Sequence, residues 1–348
     1  MGNFLDGDYG DILAGLKTTL FQPALFETMV AGRDRLRPRI VRRGKTPGHG
    51  IGSRWSSHHM GFSGAGIGLS DFLEVDLNEE DLRAAEIVAE TRPEALRSFD
   101  QIPMLAGDLA RQAKLVRPRL AGKRVVFMGD NDATSSVLGL MGTFGSDAPS
   151  HMLLLDFDQR VLCQAEALAR NYGYAHRLSV RAYNAFDPVP TDLLGQFDVF
   201  YTNPPYGSSN QGESARLFIT RGIELCQGQG GACGCIILPD DEERPWTRPA
   251  MRTTELFLLT HGWSILEKTN GLHQYHLPND PYLTSGMLWT ADVEAGRGVP
   301  PLPHAGLRVP PEQQIAHFYG TKVSLPYPHY VQRNGTLDYD WAEGHTTN

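Results

Sequence analysis

Four short clusters of carboxylates and amides stand where this sequence passes from an apolar run to a polar one. They are Gly129-Asp130-Asn131-Asp132 after KRVVFM, Asp156-Phe157-Asp158 after HMLLL, Asn184-Ala185-Phe186-Asp187 after LSVRAY, and Asn203-Pro204-Pro205-Tyr206 after DVFYT. Each apolar run has the length of a strand, and ligands bind at the carboxyl ends of strands in an open α/β sheet. An acid in that position also caps the next helix, because a carboxylate satisfies the orphan N–H groups there. Four in series, spaced as successive strand–helix units, point beyond capping to a nucleoside site. Asp156 is placed to accept hydrogen bonds from ribose hydroxyls, and Asp187 to receive an adenine amino group. In Asn203-Pro204-Pro205-Tyr206 two prolines keep the backbone out of helix and leave carbonyls pointing into a cleft. Those of Asn203 and Pro204 suit an amine N–H, with Tyr206 at its flank, and the arrangement fits a nitrogen nucleophile attacking a sulfonium carbon.

The elements that must hold these clusters follow a regular alternation. KRVVFM is a strand followed by a helical run from about Ala133; HMLLLD is a strand and QRVLCQAEALARNY a helix. LSVRAY and DVFYT are strands, ARLFITRGIELC a helix, GACGCIIL a strand, MRTTELFLLTHG a helix, and WSILEKT and TSGMLWT are closing strands. Crossover units of this length imply a parallel sheet. The expected fold is α/β, class I methyltransferase-like (Rossmann-type), with a mostly parallel sheet and an N-terminal mainly helical extension. It divides into an N-terminal helical and loop region over 1–120, a Rossmann-like catalytic domain over 121–291 and a Pro-rich tail over 292–348. In the first region, residues 11–31 have helical spacing broken at Pro23, and 46–70 read as a long loop. Residues 79–97 and 104–117 read as helices with Pro93 and Pro118 as breakers.

The first cluster favours one kind of sulfonium. A methyltransferase usually has a Gly-rich turn there, whereas GDNDATSS carries two carboxylates. They attract the cofactor's amino group and repel its α-carboxylate. Decarboxylated S-adenosylmethionine removes the repulsion, and the chemistry becomes aminopropyl transfer; intact S-adenosylmethionine and methyl transfer remain the alternative.

The Asn-Pro-Pro-Tyr motif resembles the (D/N)PP(Y/F) of amino-group methyltransferases. FDQIPMLAGDLARQAKLVRPRLAGKRVVFMGDNDATSSVLGLM, DVFYTNPPYGSSNQGESARLFITRGIEL and LHQYHLPNDPYLTSGMLW resemble the branched-chain polyamine synthases, the bis(aminopropyl)spermidine synthases, over roughly residues 99–290. That resemblance implies aminopropyl transfer from decarboxylated S-adenosylmethionine to an amine nitrogen of a linear polyamine. The family's Gly-Asp-Asp-Asp motif falls on Gly129, Asp130, Asn131 and Asp132, which makes Asp132 the proposed base with Asp130 beside it. Asn131 and Asn203 stand where the family has Asp, and each removes a negative charge. The catalytic set so implied is Asp132, Asp130, Asn203, Pro204 and Tyr206. Gly129, Asp130, Asp156, Asp187 and Asn203 would hold the cofactor, and Asp100, Gln101, Tyr206, His273 and Tyr275 the acceptor.

The rest of the chain sets the context. It has 348 residues and a formal net charge of −8, which argues against a surface-wide nucleic-acid footprint and favours cationic partners. The exception is the run Arg33, Arg35, Arg37, Arg39, Arg42, Arg43 and Lys45, a route to a nucleic-acid substrate for an N-methyltransferase. Asp240 to Glu243 read as a solvated acidic run. Cys163, Cys226, Cys233 and Cys235 read as buried free thiols, and no metal is expected; His58 and His59, near Trp55, are the nearest approach to a metal pair. No apolar run has membrane-spanning length and the first residues are acidic, so the expected protein is cytoplasmic, with a homodimer among its allowed assemblies. A relative that binds the nucleotide without turnover is the third reading.

Overall fold

The computed structural model describes residues 75–95, 101–145, 147–206, 210, 212–226, 231–241, 243–277, 280–292, 299–310, 313–314, 327–333 and 336–342. The helical run at 11–31, the loop at 46–70, the Arg33–Lys45 cluster, Trp55, His58, His59 and Asp100 lie outside the described residues. Among the described residues no helix is long and apolar enough to cross a membrane.

Two helices precede the sheet. Helix α1 (Glu79–Thr91) opens on a reciprocal cap: Asp81 N–H donates to Asn78 Oδ1 at 2.8 Å and Asn78 N–H to Asp81 Oδ2 at 3.1 Å. Asp81 is buried and also takes ion pairs from Lys114 and Arg117 on helix α2 (Ala106–Leu120), which ties the two helices together. Pro118, expected to break α2, lies inside its last turn. A proline so near the end forfeits little, and Ala121 N–H still closes on the Arg117 carbonyl at 3.0 Å.

The alternation that follows is β1 (Arg124–Met128), α3 (Thr134–Thr143), β2 (His151–Asp156), α4 (Gln159–Asn171), β3 (Leu178–Ala182), β4 (Val199–Thr202), α5 (Glu213–Cys226), β5 (Cys233–Pro239), α6 (Thr247–Thr260), β6 (Trp263–Thr269), β7 (Gln274–Leu277) and β8 (Asp280–Asp292). Among the described residues these strands form one sheet in the order β3-β2-β1-β4-β5-β8-β6, with β7 paired to β8. The first five are parallel, and β8 runs antiparallel between β5 and β6. A separate hairpin joins β9 (Tyr327–Arg333) to β10 (Thr336–Ala342). Sequence reasoning misses β7, whose Gln-Tyr-His-Leu has no apolar alternation, and misses β9 and β10 within the stretch it read as a Pro-rich tail.

Central strands buried on both faces read as unbroken apolar runs, and RVVFM and HMLLLD do so for that reason. Alternate residues of β1 enter different cores. Val125 and Phe127 face α1, α2, α3 and α4, while Val126 and Met128 face α5, α6 and Leu302 and Val309 of the C-terminal segment. The N-terminal helices therefore share a core with the sheet. Strand order reverses between β2-β1 and β1-β4, so a crevice opens at the carboxyl ends of those strands.

Two further expectations are corrected. Asp241 is buried, its Oδ2 accepting from Thr284 N–H at 3.0 Å and pairing with Arg244 at 2.6 Å, because it anchors the turn after β5 to β8. Cys163 is exposed, on the outer side of α4, and Cys233 is half-buried, whereas Cys226 and Cys235 are buried as expected.

Candidate active site

The crevice is a cleft bounded by the loops after β1, β2, β3 and β4, with Gln101, Ile102 and Tyr275 on the N-terminal and β7 sides. Its floor begins at Gly129, whose φ of +68° turns the chain sharply off β1. A Cβ there would lie 3.0 Å from the Phe218 ring, so the close approach as well as the conformation requires glycine.

The two acids of the first loop take different directions. Asp130 turns inward: Oδ1 accepts from Thr134 N–H and Oδ2 from Ser135 N–H, both at 2.9 Å, which caps α3. Burial pushes its carboxyl up to about 7, against those hydrogen bonds. Asp132 turns to the cleft and is 3% exposed. Its Oδ1 accepts from Met104 N–H at 3.0 Å, and its Oδ2 accepts from the Asn203 amide and, at 3.3 Å, from the Tyr275 hydroxyl. Asn203 also donates to Tyr275. Burial raises the Asp132 carboxyl, and the Arg92 guanidinium, with Nη1 3.9 Å from Oδ1, is the largest opposing influence.

Asp156 ends β2 at the next wall. Its Oδ2 accepts from Asp130 N–H at 3.1 Å and its Oδ1 from Asp158 N–H at 2.9 Å, and the Phe157 backbone N–H bonds to the same carboxyl, which leaves about one acceptor site for the cleft. Burial pushes this carboxyl up to about 6. Phe157 and Asn184 complete that end of the cleft. Asp158 is the cap of α4, held by Arg160 and by Gln101 Nε2 at 2.9 Å, and Gln101 itself faces the cleft.

Of the residues singled out in the sequence, the cleft gathers Gly129, Asp132, Asp156, Asn203, Pro204, Tyr206, Gln101 and Tyr275. It does not gather three others. Asp130 sits behind the loop as a helix cap. Asp187 pairs with Arg308 at 3.1 Å, and the loop instead presents Asn184, three residues earlier, to the cleft. His273 stands behind Tyr275, ring centroids 4.5 Å apart, with Nε2 2.9 Å from Ser285 Oγ, and burial pushes its pKa down to about 3. Sequence reasoning missed Arg92, which lacks any distinguishing spacing, gave no role to Phe157 although it stands in the Asp156 cluster, and chose Asp187 over Asn184 because charge was the signal it followed.

Residues 80–247 match the family model described as the branched-chain polyamine synthase A C-terminal domain. The N(4)-bis(aminopropyl)spermidine synthase of Thermococcus kodakarensis is 31% identical over 162 residues, covering 46% of this chain and 43% of that protein. The protein of the same name from Thermus thermophilus is 28% identical over 208 residues, 58% of this chain and 54% of that one. The chain thus spans about half the length of the curated relatives it matches. The crystal structure of the Thermus thermophilus branched-chain polyamine synthase, in complex with N4-aminopropylspermidine and 5′-methylthioadenosine, superposes with a TM-score of 0.55. It is 23% identical, with 68% of this chain and 69% of that one covered, and the likeness establishes the fold. Through residues 80–247 this chain is similar to the C-terminal domain of the branched-chain polyamine synthases, on a class I methyltransferase-like fold.

Proposed function

We propose that this chain transfers aminopropyl groups from decarboxylated S-adenosylmethionine to an amine nitrogen of a polyamine. The observation that carries the reading is the charge of the cleft. Among the described residues lining it, the charged side chains are the carboxylates Asp132 and Asp156, and none is Lys, Arg or His. Such a wall suits a cationic acceptor and a sulfonium without an α-carboxylate; the carboxylate of intact S-adenosylmethionine would meet no counter-ion among the described lining residues. Similarity to two proteins named N(4)-bis(aminopropyl)spermidine synthase supports the same reading.

The residues present fit the donor. Asp156 keeps an acceptor site for a ribose hydroxyl, and Phe157 and the Asn184 side chain line the cleft at the same end, where the base would sit. When bound, the donor supplies a carbon activated by positively charged sulfur, and the C–S bond breaks to a thioether as the amine N–C bond forms. Asp132 orients the attacking amine and takes its proton, and its raised carboxyl is a better acceptor for that proton than an exposed aspartate. Asn203 and Tyr275 hold Asp132 on one side and Met104 N–H on the other, so the carboxylate does not swing as the amine arrives. With an activated electrophile, this positioning supplies most of the acceleration.

Calorimetry with the two sulfonium compounds side by side, followed by mass spectrometry of spermidine incubated with the donor, tests the reading. The expected result is tighter binding of the decarboxylated form and a mass gain of one or two aminopropyl groups. Asp132→Asn should lower transfer by about 10²–10⁴-fold while donor affinity is kept. Tighter binding of the intact cofactor with no aminopropyl product would overturn it in favour of methyl transfer.

A further inference from the structure

Arg92 ends α1, outside the four strand-end clusters, yet its guanidinium reaches the acceptor side of the cleft. Its Nη2 donates to the Met104 carbonyl at 2.7 Å, and the Met104 N–H donates to Asp132 Oδ1 at 3.0 Å. Its Nη1 lies 3.9 Å from that same oxygen and makes no hydrogen bond among the described residues, although it is buried. A buried guanidinium is costly unless a charge answers it, and Asp132 is the carboxylate within reach. Met104 also bridges to Tyr275 of β7, whose hydroxyl donates to the other oxygen of Asp132. Arg92, Met104, Asp132 and Tyr275 thus form a closed ring of contacts around one carboxylate.

We propose that Arg92 is a positioning residue for Asp132, clamping the Met104 peptide against Oδ1 so that the carboxylate is presented to the acceptor amine. The inference rests on the proposed role of Asp132 as the group that takes the amine proton. It gives the N-terminal helices a part in the chemistry: α1 brings a cation to a site whose described lining has none. The groups facing Asp132 are Arg92 from the end of α1, Tyr201 from β4, Tyr275 from β7 and Asp130 from its own loop, with the uncharged Asn203 amide and Met104 N–H. Arg92 is the one cation in that set. Removing it leaves burial unopposed by a positive charge, which raises the Asp132 carboxyl further and shrinks the pH range in which it is a base.

The test uses Arg92→Met and Arg92→Gln, the second keeping an uncharged donor for the Met104 carbonyl in case the first does not fold. The Asp132 carboxyl is titrated by ¹³C NMR in the free full-length protein, assigned with Asp132→Asn, and the pH profile of spermidine aminopropylation is measured beside it. Both variants should titrate Asp132 at higher pH than wild type and move the acid limb of kcat/KM the same way. They should lower kcat by about 10- to 100-fold, with donor Kd unchanged. A titration and acid limb at their wild-type positions in Arg92→Gln, with only thermal stability reduced, would overturn the proposal and leave Arg92 as a tie between helix and loop. If wild-type protein makes no aminopropyl product while the variants still shift the Asp132 titration, the proposed function fails and the clamp stands.

Discussion

Asp130, Asp132 and Asp156 share a side chain and differ in what their oxygens face. Asp130 spends both oxygens on backbone N–H groups, Asp132 divides its pair between a scaffold amide and the cleft, and Asp156 holds two loops together with about one acceptor site to spare. The Asp156 carboxyl, pushed up to about 6 by burial, accepts most strongly from a ribose hydroxyl when it is ionised. Its charged form predominates above that pH and is lost below it. Donor binding should therefore weaken as pH falls from 7 to 5, and Asp156→Asn should flatten that dependence and weaken binding about 10-fold or more at pH 8. Calorimetry across that range decides it: a wild-type Kd independent of pH would remove Asp156 from the ribose.

The turn from β1 into α3 is built from Gly129, which reverses the chain, Asp130, which caps the helix, and Ala133, which takes a φ of +60°. Loss of the cap in Asp130→Ala should cost about 1–2 kcal/mol, read from urea unfolding of the unliganded protein. The pH dependence has a definite sign. A carboxyl raised from 3.8 to about 7 in the folded state lends stability that is full below its unfolded value and is lost as pH rises through 7. The alanine variant should thus lose more at pH 5 than at pH 8, because at pH 8 the wild type also bears a buried charge. An equal loss at both would mean that Asp130 is not held neutral by burial.

At the scale of the whole molecule, residues 302–309 cover one face of the sheet's core. Arg221, fully buried on α5, donates Nε to the Ala185 carbonyl at 3.0 Å, Nη1 to the His304 carbonyl at 2.8 Å and Nη2 to the Leu307 carbonyl at 2.7 Å, and pairs with Glu224. Glu224 in turn accepts from Gly306 N–H at 2.6 Å, and Val309 N–H donates to the Phe186 carbonyl at 2.8 Å. The strap so formed is fastened to the very loop that carries Asn184 into the cleft. Arg221→Met would strand a buried glutamate and three carbonyls, and should cost about 3–5 kcal/mol of stability in denaturant unfolding. It should also weaken donor binding measured under native conditions. A loss of stability with donor affinity intact would show that the strap does not set the base end of the cleft.

Much of this architecture is legible in one sequence because local patterns are enough for it. RVVFM and HMLLLD announce buried parallel strands by their unbroken apolar character, and the polar residues that end them mark the cleft, since a parallel sheet has one end where ligands bind. What could not be read locally is which side of a loop each side chain takes. Asp130 and Asp132 are two residues apart in one motif, and only the packing of α3 and of the Met104 segment sends one inward and the other to the cleft. Asp187 carries the charge, but the strap recruits it through Arg308 and leaves the cleft to Asn184. Arg92 meets Asp132 across 40 residues of chain through the folding of α1 against the sheet's core, a contact that no spacing in the sequence encodes.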